Sequence, residues 1–352
     1  MSNDTVFVKD KDLLAFSSKL FSALGMSKDD AHYAGQCIVQ SNLWGTDSHG
    51  VIRLPIYIER LENGSVKSKP DIRVIKEFGG MARMHGGDGL GYIVGRDAMK
   101  KAISLARIHG IGSVIVSNSN HFGAAGLYAR EAAKEGMIAI VMSNTIPNMV
   151  APGGQGSLIG NHPIAFAVPL PGASPFVLDC CLSQVAQGKL LVAKEKGQKI
   201  PSSWAVDKDG NPTDDPALGL GGSLLPMGGH KGYGMAIVVE FLTGILSGGA
   251  FLGGLKSMYK NATEPSGMSH HMLVLNPLAI LDDGEWSERV HTLRDKIKTA
   301  PVREPGSSLV FPGEPEEACE AQRQAEGIPI PKSLFDSLNA LGARFSATLP
   351  SA

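Results

Sequence analysis

The chain has 352 residues, 43% of them hydrophobic, so it can bury a substantial core and is long enough for two domains. With 33 basic and 34 acidic residues its formal net charge is −1, which excludes a global field drawing it to nucleic acid or an anionic membrane. Cys37, Cys180, Cys181 and Cys319 form no Cys-x-x-Cys pair and the first residues show no charged-then-apolar leader, so a reducing cytoplasm is the expected compartment.

Residues 10–24 and 27–43 read as helices, the second opened by Ser27 with Asp30 three residues on, a capping-box-like start. Next, His49, Arg53 and Tyr57 follow at four-residue steps; a helix there would stack all three on one face. Arg53 could grip a carboxylate by two parallel bonds while His49 exchanges a proton; a solvated helix face is the plainer alternative. Residues 96–109 carry an apolar stripe of Ala98, Ala102, Leu105 and Ala106, with Gly110 as the stop.

Short β-branched runs at 113–116, 138–142, 164–168 and 176–178 predict core strands, and helices are expected at 124–134, 185–196, 235–246 and 285–298, which makes an α/β layered body. Residues 136–178 contain no Asp, Glu, Lys or Arg and are expected to be mostly interior or ligand-facing. Residues 232–255 are nearly charge-free, but Glu240 and seven glycines favour a buried helix followed by a glycine-rich turn over a membrane span. Residues 301–315 read as a linker, and 316–326 and 332–345 as two terminal helices able to pack back on the first two.

No Gly-x-Gly-x-x-Gly, Walker A or His-Glu-x-x-His sequence occurs, and the adjacent His270 and His271 suit a structural or rim role better than a metal. Gly228 to Gly234 open a predicted helix with His230 and Lys231, a place for phosphate or merely a turn with a solvated lysine. His121 and Thr145 follow strands, as do their neighbours Asn120 and Asn144; a ligand or the protein backbone could satisfy these polar groups. Asp179 is the first charge after the uncharged region, either holding a sugar hydroxyl or, with Ser183, capping a helix. Asp47, Ser48 and His49 are consecutive and cannot form a hydrolytic relay.

Taken in order, Asp47-Ser48-His49-Gly50 with Arg53, Asn120-His121-Phe122-Gly123, Ser143-Asn144-Thr145, Gly160 to Pro163, and Asp179 with Ser183, Gly188 and Lys189 form a pattern. It continues through Pro201, Trp204, Gly210, Pro212, Thr213, Gly228 to Gly232, Pro312-Gly313-Glu314 and Gly327-Ile328. Along nearly the whole chain this resembles the malate/L-lactate dehydrogenase family that is unrelated to the Rossmann lactate dehydrogenases. The resemblance implies a three-layer α/β/α fold with a mixed, largely non-Rossmann sheet plus a helical domain from the two chain ends. Residues 1–70 and 301–352 would form the helical, dimerising part carrying His49, and 71–300 the α/β coenzyme-binding part.

It further implies a cytoplasmic, homodimeric NAD- or NADP-dependent oxidoreductase of small 2-hydroxy or 2-oxo acids, with no metal, nucleic-acid or membrane partner. Imino-acid reduction, of the piperideine-2-carboxylate type, and ureidoglycolate-type oxidation are the alternatives. By the family pattern His49 is the proton donor and acceptor, Arg53 the carboxylate clamp, and Ser48 and His121 neighbours of the reacting centre, with Tyr57, Asn144 and Thr145 on the substrate. Coenzyme contacts would come from His121, Asn161, His162, Phe176, Leu178, Asp179, Cys180, Ser183, Lys189, Gly229, His230, Lys231, Gly232, Gly313 and Glu314. Asn161-His162-Pro163 stands where many relatives have Thr-Asn-Pro or Asn-Asn-Pro, and Cys180-Cys181 replaces a commoner Met-Ala, so the choice of coenzyme stays open. The distal half of the substrate would be read by loops such as residues 257–269, and the two reaction directions should show opposite pH preferences around the ordinary histidine range.

Overall fold

The structure, a computed structural model, describes residues 5–304 and 306–350. The chain begins with β1 (Thr5–Val8), α1 (Asp10–Ala23) and α2 (Lys28–Leu43), passes through two 3-10 turns (Asp47–His49 and Val51–Arg53) and enters α3 (Leu54–Glu62). The hairpin β2 (Arg73–Phe78) and β3 (Met81–His85) leads to α4 (Gly91–His109), β4 (Ile111–Ser119), α5 (Gly126–Lys134) and β5 (Ile138–Ser143). Then come β6 (Met149–Val150), β7 (Ser157–Ile159), β8 (Pro163–Val168), β9 (Phe176–Cys181) and α6 (Gln187–Glu195). After β10 (Ala205–Val206), β11 (Pro212–Thr213), α7 (Pro216–Gly221) and β12 (Ser223–Leu224), α8 (His230–Glu240) runs into a π turn (Phe241–Ile245). The last elements are β13 (Met268–Leu275), α9 (Asp283–Lys298), α10 (Glu314–Glu326), β14 (Ile328–Pro331) and α11 (Lys332–Ala343).

Seven strands form the main sheet in the order β2-β3-β4-β13-β5-β8-β9. Only β3 and β4, joined across α4, are parallel; every other pair is antiparallel, so the sheet is mixed and lacks the doubly wound order of a Rossmann domain. On one face α4 and α5 pack over Val114, Val116, Val141 and Val274, and on the other Ala236 and Val239 of α8 pack over Met142 and Ile164. These are the three expected layers. The first core is continuous with the terminal helices: Leu13, Phe16 and Leu20 of α1, Ile38 of α2 and Leu338 of α11 belong to it. Each such fully buried aliphatic side chain contributes about 1.5–3 kcal/mol. Pairing of β1 with β14 ties the two chain ends together. The Ser27 cap is present, its Oγ accepting the Asp30 N–H at 3.1 Å.

The uncharged region 136–178 is mostly interior, as expected, with β5 and β8 in the sheet; residues 152–158 are exposed, because Gly, Ser and Gln satisfy water without charge. Two expectations are corrected. β9 is an edge strand rather than a core strand. α8 and the π turn after it are buried on one side only, with Met235, Val238, Phe241 and Ile245 between 43% and 60% exposed. No helix among the described residues is long and apolar enough to cross a membrane.

The central strand β13 had no sequence expectation, since His270 and His271 broke its apolar run. Both are buried. The two ring nitrogens of His270 meet Ser143 Oγ and Ser119 Oγ, each at 2.8 Å, its ring stacks on Phe122 at 4.1 Å, and His271 Nε2 meets Ser113 Oγ at 2.8 Å. Serines on the neighbouring strands are what make imidazoles affordable in mid-sheet.

Candidate active site

Pro55, second residue of α3, has no N–H to continue a helix upstream, so the segment between α2 and α3 runs as two 3-10 turns hinged at Gly50. A Cβ at Gly50 would lie 2.1 Å from Asn42 Oδ1, which accepts the Val51 N–H at 2.9 Å. Asn42 Nδ2 in turn donates to Asp47 at 2.6 Å, and Arg323 of α10 holds both Asp47 oxygens at 2.6 and 3.0 Å. The turn carrying Ser48 and His49 is thus clamped from α2 and α10.

The expected single helix over 49–57 is therefore absent, yet its three residues converge. His49 stacks on His121 with ring centroids 5.4 Å apart, and the Tyr57 hydroxyl is 2.6 Å from His121 Nδ1. The Gly123 N–H points at the same nitrogen at 3.4 Å, which makes Nδ1 the acceptor and leaves the proton on Nε2. Ser48 Oγ lies 2.9 Å from His49 Nδ1. Arg53 Nε donates to the Ser48 carbonyl at 2.6 Å, and its guanidinium lies over the Tyr259 ring at 5.7 Å and bonds the Tyr259 hydroxyl. Burial, and then Arg53, push His49 down to about 4; burial, His49 and Arg53 hold His121 well below the usual histidine range. With these shifts both rings are neutral at pH 7.

These groups form one end of a cavity of about 640 Å³. Its wall also includes Thr145, Asn161, Asp179, Cys180, Ser183, Lys189 and Gly313. Asp179 Oδ2 accepts the Gly126 N–H at 2.8 Å, capping α5 rather than α6, and Oδ1 has no protein donor among the described residues. Burial pushes Asp179 up to about 6, opposed by the Gly126 bond and aided by Glu316. Water still reaches this carboxylate through the cavity mouth, so the push is greater once a ligand displaces that water. Pro312 accepts the Val177 N–H at 3.2 Å, and Gly313, at φ 101°, lies so close to β9 that a Cβ would sit 3.2 Å from the Pro175 carbonyl.

A model of the malate/L-lactate dehydrogenase family matches residues 8–339. The chain belongs to the malate/L-lactate dehydrogenase family. L-sulfolactate dehydrogenase of Methanocaldococcus jannaschii is 39% identical over 314 residues, 89% of this chain and 90% of that one. The solved sulfolactate dehydrogenase from that organism superposes with a TM-score of 0.92 at 36% identity, covering 97% of this chain and 98% of that one. A (2R)-3-sulfolactate dehydrogenase (NADP(+)) of Chromohalobacter salexigens is 34% identical, covering 95% and 97%. A ureidoglycolate dehydrogenase (NAD(+)) of Escherichia coli is 30% identical, covering 89% of each chain. This member of the malate/L-lactate dehydrogenase family is an NAD(P)-dependent oxidoreductase acting on the CH–OH group of small hydroxy acids.

Other family-pattern residues lie off the cavity wall. Tyr57 is buried behind His121. Asn144 spends its amide on Ala250 O at 3.0 Å and the Ser269 N–H at 2.8 Å, tying β5 to β13. His162 is buried behind Thr145, accepting its N–H at Nδ1 (3.0 Å), while Nε2 lies 3.0 Å from Glu240 Oε2 in poor alignment for a hydrogen bond. On β9 Val177 and Asp179 face the cavity, joined at the strand's end by Cys180 and Cys181; Phe176 and Leu178 alternate to the other side, Phe176 meeting Phe311 edge-on. Glu314 pairs with Lys298 at 2.7 Å and accepts the Phe311 N–H, whereas Glu316 and Glu317 reach the cavity. Gly229, His230, Lys231 and Gly232 open α8 just outside the wall, joined to it by Met227, which lines the cavity and accepts the Gly232 N–H at 3.0 Å.

Sequence reasoning missed Trp44 and Arg130, a cation–π pair 5.2 Å apart on the wall, and Lys256. No local pattern could find Trp44 and Arg130, which meet only through the packing of α2 on α5. The acid-rich first turn of α10 was a usable signal for Glu316 and Glu317.

Proposed function

We propose that His49 exchanges the proton and Arg53 holds the carboxylate while a hydride passes between C2 of a small 2-hydroxy or 2-oxo acid and the nicotinamide of NAD or NADP. The observation that carries this reading is the convergence of a neutral imidazole, a second imidazole of fixed tautomer and a partly free guanidinium at one end of a cavity of about 640 Å³. That volume is within the roughly 300–1,000 Å³ of ligand clefts.

With Nε on Ser48 and one amine on Tyr259, Arg53 keeps donors for a carboxylate. In the oxidising direction neutral His49 takes the hydroxyl proton, Ser48 Oγ accepting from Nδ1–H so that Nε2 is free. In the reducing direction His49 must arrive protonated; the substrate's carboxylate offsets the Arg53 charge and raises the histidine's affinity for that proton. His121, its Nδ1 held by Tyr57, offers Nε2–H to the oxygen as negative charge develops on it. The coenzyme, when bound, supplies or accepts the hydride.

The unpartnered Asp179 Oδ1 suits a ribose hydroxyl, and the Gly313 backbone admits a close approach to β9. Asn161, Cys180, Ser183 and Lys189 are proposed to flank the coenzyme, with the positive start of α8 and Lys231 beside its phosphates. A homodimer completes the proposal, supported by the exposed Met235, Val238, Phe241 and Ile245, and light scattering at twice the monomer mass is its test.

Turnover of pyruvate, oxaloacetate, sulfopyruvate and piperideine-2-carboxylate with each reduced coenzyme tests the reaction. At least one 2-oxo acid should be reduced, with oxidation favoured and reduction slowed as pH rises; reduction of none would defeat the reading.

A further inference from the structure

The chemistry above uses His49, Arg53 and Tyr57 but gives no task to Arg60, on the same side of α3 one turn beyond Tyr57. Its side chain is 2% exposed. Nε donates to Ser65 Oγ at 3.3 Å, one terminal amine to Ser266 Oγ at 2.9 Å, and the other to Asn120 Oδ1 at 3.2 Å and the Glu264 carbonyl at 2.6 Å. Every acceptor is neutral, and no carboxylate pairs with it among the described residues. A buried guanidinium without counter-charge is expensive, and an apolar side chain would fill the same space at less cost.

The acceptors identify what that cost secures, because they belong to segments that deliver site residues. Asn120 precedes His121; its Oδ1 also accepts the Ser266 N–H at 3.0 Å, and its Nδ2 is spent on the Asp88 and Gly89 carbonyls. Glu264 and Ser266 end a loop whose neck is closed by the Lys256 N–H on the Ser266 carbonyl at 3.0 Å and which presents Lys256, Met258 and Tyr259 to the cavity. Tyr259 in turn contacts Arg53. Ser65 grips the same loop directly, its Oγ donating to the Ala262 carbonyl at 2.7 Å.

We propose that Arg60 is a positioning residue that locks the 256–266 loop and the Asn120–His121 turn onto α3, so that the acid substrate meets Arg53, Tyr259 and His121 in a preset arrangement. A planar fork can bond three segments at once; a lysine in the same space is a single point of charge and cannot. The proposal rests on the reading of this cavity as the site of 2-oxo-acid reduction.

Arg60→Lys and, away from the cavity wall, Ser65→Ala test it through separate KM values for acid and coenzyme and through tryptic cleavage within residues 256–266. Arg60→Lys is expected to raise the acid KM at least tenfold with the coenzyme KM within twofold, and to speed cleavage at Lys260 without a matching fall in melting temperature. Ser65→Ala should move the same two readouts in the same direction by about threefold, and decides the matter if Arg60→Lys does not fold. Equal shifts in both KM values together with a lowered melting temperature, or no change in loop cleavage, would overturn it. An inactive wild type would instead sink the proposed reaction, while loop cleavage still reports on Arg60.

Discussion

The two ends of the cavity are built in opposite ways. At the His49 end the side chains are already bonded to one another: Ser48 to His49, Tyr57 to His121, Arg53 to Tyr259, with the turn itself clamped by Asn42 and Arg323. At the Asp179 end the wall is a sheet edge, the start of α10 and backbone turns, with fewer bonds made: a bare carboxylate oxygen and an exposed Glu316, beside Glu317, which accepts from Ser174 Oγ, and Lys189, 6.0 Å over the Trp204 ring. Groups that must stabilise developing charge work best when fixed beforehand, whereas a large coenzyme can order its own contacts on arrival. Substitutions at the first end should therefore fall on turnover and on the acid, and those at the second on coenzyme affinity.

The sharpest way to break this contrast is His49→Ala. Loss of a positioned acid/base should cut kcat by roughly 10²–10⁴ with coenzyme KM little changed, read from nicotinamide absorbance. An unaltered kcat would take the proton away from His49. Arg53→Gln comes next: losing a charge-assisted carboxylate grip worth about 1.5–3 kcal/mol should raise the acid KM roughly ten- to hundredfold. It has a second signature, since Arg53 is one of the two causes that hold His49 near 4. In the wild type kcat/KM for alcohol oxidation should rise with pH through about 4 and then level, because only the neutral ring accepts a proton. In Arg53→Gln that rise should move toward the ordinary histidine range; a limb that stays put would show that Arg53 does not act on His49.

The same contrast explains what the sequence disclosed. His49, Arg53 and Tyr57 were legible because they are close in sequence, and four-residue steps brought them together even though Pro55 and Gly50 prevent a helix over them. α4 was legible from its stripe, and the layered α/β class from strands and helices in alternation. The Asp179 end was legible only in part: Asn161, Asp179, Cys180, Ser183, Lys189 and Gly313 do line the cavity, but His162, Phe176, Leu178 and Glu314 do not. Period two along β9 gives no absolute phase, so nothing in the sequence says that Val177 and Asp179 face inward while Phe176 and Leu178 face out. Glu314 and Glu316 are interchangeable on composition until α10 is docked and Lys298 claims the first. Asn144 and His162 resemble ligand groups only because the carbonyls and amides that satisfy them come from residues 250, 269 and 145.

At the proposed coenzyme end, Asp179→Asn should raise the coenzyme KM about tenfold, the loss of one hydrogen bond to a charged acceptor, with kcat within about twofold. With burial pushing the wild-type carboxyl up to about 6, coenzyme affinity should weaken as pH falls through that value, and the Asn variant should lack this dependence. Stability moves the other way. A carboxyl whose folded pKa lies above its unfolded one favours folding below the unfolded value and loses that contribution as pH rises through 6, so at pH 7 the neutral amide should cost no thermal stability. A fall in kcat as large as that of Arg53→Gln would erase the distinction between the two ends.

The smallest effect is the most specific. Tyr57→Phe keeps the ring and its edge contact with Tyr92, 5.7 Å between centroids, and removes only the hydroxyl that bonds His121 Nδ1. The Gly123 N–H at 3.4 Å then remains as the sole group fixing the tautomer, so His121 should point Nε2–H at the substrate oxygen for a smaller fraction of the time. One neutral hydrogen bond is worth about 1 kcal/mol, which sets the expected fall in kcat at roughly fivefold, with both KM values nearly unchanged. Because the proposed mechanism moves the proton through His49 and not His121, the pH at which oxidation levels should stay where it is in the wild type. A shift of that limb in Tyr57→Phe, or a loss of kcat approaching that of His49→Ala, would reverse the roles of the two stacked imidazoles and make His121 the acid.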